Sequence, residues 1–80
     1  MPVVFREGPY KFFFYSNEGV PLKKPHIHVR GAGGEAKIAL TAPFDVLVSI
    51  GYSSSALKTL SSIVYKNHQI LLRAYNEYFS

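Results

Sequence analysis

The chain is 80 residues long, has no cysteine and carries nine Lys/Arg against five Asp/Glu, a formal charge of +4. A domain this small buries only about 60% to two-thirds of the surface its unfolded chain exposes, so its apolar residues must serve one core and a second domain is excluded. The absence of thiols excludes a disulfide framework and thiolate zinc cages and points to the cytoplasm, while apolar runs such as Phe12–Tyr15 and Val46–Ile50 are far short of the roughly 20 residues that span a bilayer. With no signal-peptide pattern at Met1–Val4 either, no membrane association is expected.

Val3–Arg6 and Tyr10–Tyr15 are rich in aromatic and β-branched residues and flank Glu7-Gly8-Pro9. This predicts a first hairpin that pairs Phe5 with Phe12, Val4 with Phe13 and Val3 with Phe14. The same register sets Arg6 opposite Lys11, two like charges that a common anion or a nearby carboxylate would suit. Ser16–Lys24, with Asn17, Gly19, Pro21 and two lysines, reads as a connection.

Pro25–Arg30 and Glu35–Leu40 then surround Gly31-Ala32-Gly33-Gly34, a second hairpin with Arg30 opposite Glu35, Val29 by Ala36, His28 by Lys37 and Ile27 by Ile38. Alternation puts Ile27, Val29, Ala36, Ile38 and Leu40 on an apolar side and His26, His28, Arg30, Glu35 and Lys37 on a polar, outward one. After Ala42-Pro43, Val46–Ser49 predicts a short fifth strand. From Ser53 the period changes: Leu57, Leu60, Val64, Asn67, Leu71, Ala74 and Tyr78, widened by Ile63 and Ile70, form the stripe of an amphipathic helix with Ser53 or Ser54 as N-cap. At about 1.5 Å per residue such a helix outruns a sheet of this size, so a bend or break near Asn67-His68 is expected. The fold expected is one α+β domain over residues 1–80, mainly β over 1–50 and helical over 53–79. It consists of two antiparallel hairpins of four to five strands packed on a long or broken C-terminal helix.

The His26, His28, Arg30, Glu35 and Lys37 face is the first candidate site, because imidazoles beside cations suit phosphate binding or proton transfer. His26 and His28 could be half of a metal site, but Glu35 is the only nearby third ligand and is better placed to pair with Arg30, so neither a metal nor another cofactor is expected. Arg6, Lys11, Phe13 and Tyr15 share a face of the first hairpin, the mix of rings and cations that single-stranded RNA-binding sheets use. Glu35-Ala36-Lys37 lacks the upstream acidic residue of a nuclease motif, and Gly31–Gly34 lacks the Lys-Ser/Thr ending of a phosphate loop. Leu71, Leu72, Tyr75, Tyr78 and Phe79 are packing residues or an apolar surface for a partner.

The order of Met1-Pro2 with Phe5-Arg6, Tyr10–Asn17, Pro25-His26-Ile27-His28-Val29, Glu35-Ala36-Lys37, Gly51-Tyr52-Ser53, Leu71-Leu72 and Tyr75-Asn76-Glu77-Tyr78-Phe79 resembles the small bacterial domain-of-unknown-function family 4160 nearly end to end. The resemblance implies a β-rich half followed by helix, in proteins that look like partners of a second small uncharacterised family in toxin–antitoxin-like gene pairs. It brings no catalytic residues. The chain departs from that pattern at Lys24-Pro25, where many relatives have two prolines, at Ala56, where glutamate is common, and at Tyr75, where tryptophan is usual.

The function expected is therefore an intracellular binding or regulatory module, one of a toxin–antitoxin-like pair, with the basic sheet face contacting an acidic partner or RNA. The rival is a metal-independent RNA-cleaving toxin using His26, His28, Arg30 and Lys37. A small protein partner is expected first, RNA or DNA second, and a homodimer is also open to such a module.

Overall fold

The computed structural model describes residues 3–15 and 24–79, so the connection expected over Ser16–Lys24 lies, apart from Lys24, outside the described residues. Five strands, β1 (Val3–Glu7), β2 (Tyr10–Phe13), β3 (His26–Gly31), β4 (Gly34–Ala39) and β5 (Val46–Ile50), are followed by one helix, α1 (Ser54–Tyr78). The strands form a single antiparallel sheet in sequence order, β1-β2-β3-β4-β5. The α+β architecture is the one expected.

The second hairpin has the expected register throughout, from His26 opposite Ala39 to Gly31 opposite Gly34. Its turn is Ala32–Gly33, with φ of 52° and 82°. Positive φ at both central residues is the primed turn whose twist matches two antiparallel strands. The chain is also crowded here: a Cβ on Gly34 would lie 2.5 Å from the Tyr52 ring, and one on Gly31 would meet the Pro9 carbonyl.

The first hairpin differs from expectation at its open end. Phe5 faces Phe12 and Arg6 faces Lys11, but a bulge between Val3 and Phe5 sets Val3 opposite Phe13, so the pairs Val3–Phe14 and Val4–Phe13 do not form. The extra residue lets two neighbours serve the same face. Val4 and Phe5 both pack against the core, which strict alternation would forbid.

One face of the sheet carries Phe12, Ile27, Val29, Ala36 and Ile38, and α1 covers it with Leu60, Ile63, Val64, Leu71 and Tyr75. Burying these side chains, at about 1.5–3 kcal/mol each for the larger ones, is the main term holding the two layers together. Ser53 caps the helix: its Oγ accepts from the Ala56 amide at 3.1 Å. The helix is unbroken through Asn67-His68, contrary to expectation. Asn67 does not compete with the helix but back-bonds into it, Nδ2 donating to the Ile63 carbonyl at 2.8 Å. Ile70, expected on the buried stripe, is 65% exposed.

Candidate functional site

The outer face of the sheet, opposite α1, collects both sequence candidates into one surface. What joins them is the pairing of β2 with β3, which places Lys11 opposite Arg30 and Phe13 opposite His28. Combined with the other registers, two rows cross the whole sheet. One runs Arg6, Lys11, Arg30, Glu35, Ile50; the other runs Val3, Phe13, His28, Lys37, Val48. Val3, Val48 and Ile50 were absent from the sequence candidates, although their parity with Phe13, Lys37 and Glu35 follows once those strands are paired.

His26 and His28 share the face expected, with ring centroids 5.4 Å apart. Their expected exposure is not found: His26 is 3% and His28 7% accessible. For His28 the cause is the aromatic side chains of β2 and of the residues just after it. Phe13 stacks on the His28 ring with centroids 5.7 Å apart, and Tyr15 meets the same ring edge-on at 4.5 Å. Tyr75 reaches to 6.0 Å from His26, whose Nδ1 is 3.0 Å from the Lys24 carbonyl oxygen. Rings alternating in this way behave as a small second core on the outer side.

Over this cluster lies a polar clasp. Arg30 donates through Nη2 and Nε to Glu35 Oε1 at 3.1 and 3.2 Å, and Nη2 also donates to the Tyr15 hydroxyl at 3.1 Å. The Tyr15 hydroxyl in turn donates to Glu35 Oε2 at 3.3 Å, while the guanidinium carbon sits 5.5 Å from the Phe13 ring centre. Half-exposed pairs of this kind contribute at most about 1 kcal/mol in water, so the clasp mainly fixes where Arg30 and Glu35 point. It also consumes the carboxylate. Arg6, Lys11 and Lys37 have no ion-pair partner among the described residues, and Arg6, Lys11 and Arg30 stand side by side on three adjacent strands.

Among the described residues no three His, Cys, Asp or Glu side chains gather as metal ligands; Glu35, the third ligand considered for His26 and His28, is held by Arg30 and Tyr15. At the edge of the same region Tyr52 donates to the Gly31 carbonyl at 2.7 Å. Burial, then the neighbouring Tyr10 and Glu35, raise its phenol above the ordinary value of 10.0. The terminal aromatic group does pack: Phe14 contacts Tyr75, Tyr78 and Phe79 at centroid distances of 5.5 to 5.8 Å.

A sheet with one face closed by a helix and the other carrying a cation row over packed rings defines a small α+β domain with a candidate binding face. Residues 10–76 match the family described as "Domain of unknown function (DUF4160)", and the chain belongs to that family. No curated protein and no solved structure matches it. No described helix is long and apolar enough to cross a membrane.

Proposed function

We propose that the chain is a small cytoplasmic binding module, one member of a toxin–antitoxin-like pair, and that the outer sheet face docks an acidic partner protein. The observation that carries this reading is the row Arg6, Lys11, Arg30 on three neighbouring strands, with one carboxylate to offset it. Like charges directly opposite each other destabilise a sheet, so the row costs stability in the free protein and gains it back against carboxylates.

What surrounds the row favours a protein over RNA. RNA-binding sheets offer open ring faces for bases to stack on, whereas Phe13 and His28 are buried against each other here and the exposed neighbours, Val3, Val48 and Ile50, are aliphatic. Aliphatic residues flanked by cations suit a protein interface with an acidic rim. The RNA-cleaving alternative has less support, because its two imidazoles are buried.

The test is calorimetric titration with the product of the adjacent gene, at low and high salt. Binding should weaken with salt, and Arg6→Glu with Lys11→Glu should cost about tenfold or more in Kd, as loss of two rim charges at about 0.5–1 kcal/mol each implies. A parallel incubation with single-stranded RNA should leave it unbound and intact. RNA cleavage abolished by His28→Ala would instead establish the toxin reading, and salt-independent binding unaffected by the double variant would remove the face from the interface.

A further inference from the structure

α1 carries a second basic surface, on the side of the molecule away from the sheet. Lys58, Lys66 and Arg73 are all exposed. At about 100° per residue they fall within about 80° of arc, opposite the stripe of Leu60, Ile63, Val64, Leu71 and Tyr75 that packs on the sheet. No carboxylate occurs between Ser54 and Asn76, and none of the three cations has an ion-pair partner among the described residues. Solvated faces ordinarily intersperse both signs.

Helix stability does not account for this arrangement. Helices gain from carboxylates in the first turn, cations in the last, and a carboxylate four residues before a lysine or arginine. α1 has no acidic residue in its first turn and no basic one in its last. Glu77, its one carboxylate, stands in the last turn and four residues after Arg73 rather than before it. The charge that these cations can neutralise lies outside the helix.

We infer that the outward face of α1 binds duplex DNA through its phosphates, without reading sequence. The spacing favours a duplex. Along the helix axis Lys58 and Lys66 are about 12 Å apart and Lys66 and Arg73 about 10.5 Å, close to the roughly 12 Å width of the DNA major groove, so successive cations can meet the two backbones that border it. The deep, narrow major groove of double-stranded RNA does not match. Between the cations Ser62, Gln69 and Asn76 are exposed, hydrogen-bonding side chains of the kind that contact phosphate oxygens. Lys66 and Arg73 each border an open depression of the surface, and Gln69 lines both. A protein interface centres instead on apolar and aromatic residues, and the exposed Tyr65 and Ile70 only flank this face. The surface is separate from the outer sheet face, so the inference does not depend on the partner reading above.

The test is fluorescence anisotropy of a labelled DNA duplex of about 20 base pairs, titrated with the full chain between about 50 and 200 mM NaCl. Three phosphate contacts give a slope of log affinity against log salt of about −2.7, which is about a 40-fold loss across that range. Lys58→Gln, Lys66→Gln and Arg73→Gln should each reduce the slope by about 0.9, and the triple variant should lose binding. Its circular dichroism spectrum should be unchanged, because all three positions are exposed. The unannealed strand should bind about tenfold more weakly than the duplex. No binding of the duplex at the lowest salt, or equal affinity for the single strand, would overturn the inference. So would a slope reduced by Arg6→Gln with Lys11→Gln and not by the helix variants, which would move the DNA to the sheet. Loss of binding to the adjacent gene's product in the triple variant would overturn it as well, by making α1 the protein interface.

Discussion

Tyr52 shows how one side chain ties distant segments together. Its ring fills the space that a Cβ on Gly34 would take, and its hydroxyl donates to Gly31, so the turn of the second hairpin is held from behind by the residue that leads into α1. Because its phenol is raised in the folded state, the protonated form is favoured there. Its contribution is fully present below the unfolded-state value of about 10 and is lost as pH rises through the folded value. The urea midpoint should therefore fall as pH is raised above about 10, and Tyr52→Phe should flatten that dependence while lowering stability at neutral pH by about 1 kcal/mol for the lost hydrogen bond. An identical alkaline slope in the variant would remove Tyr52 as its source. At this scale the sequence was informative about identity but not about role: Gly51-Tyr52-Ser53 stood out as a motif, and nothing local indicated that Tyr52 reaches twenty-one residues back.

Elements whose partners are close in sequence were the legible ones. The β3–β4 register follows from a two-residue turn and clean alternation, both local, and it is matched pair by pair. The start of α1 was equally readable, since Ser53 precedes the first helical turn and caps it. Ser53→Ala should cost about 1 kcal/mol in chemical denaturation, within the usual cap range of about 0.5–2, whereas the neighbouring Ser55→Ala should be nearly neutral. Equal effects would mean that the cap hydrogen bond contributes nothing. Two local expectations failed for tertiary reasons. The bulge in β1 lets the core accept both Val4 and Phe5, and α1 runs on through Asn67 with buried residues on both sides of it, Leu60, Ile63 and Val64 before and Leu71 and Tyr75 after. Neither reason is visible in a strand or helix considered alone.

Across the whole molecule the sheet has two packed sides of unequal size. The helix side is the expected core, and the outer side holds a second cluster of Phe13, Tyr15, His26 and His28 under the Arg30–Glu35 clasp. Phe13→Ala should thus be a core-like lesion, costing about 3 kcal/mol or more, while Val48→Ala on the same face should stay within about 0.5–1 kcal/mol. Urea denaturation of the two variants compares them directly, and a similar small cost for both would mean that the outer cluster is only solvated surface.

The alternation of His26, His28 and Arg30 against Ile27 and Val29, the two hairpins, the helix and its cap were determined by the sequence alone, because each depends on residues a few positions apart and on the periods of two and 3.6. Only the tertiary structure decided that β2 lies beside β3. Those strands are joined by Phe14 to Pro25, too long a connection for turn geometry to impose a register, so the pairing waits on the packing of the sheet as a whole. That one adjacency buries His28 under Phe13 and Tyr15, while Tyr75 of α1 reaches His26, and it lines up Arg6, Lys11 and Arg30. It replaces an exposed histidine surface with a cationic row over packed rings.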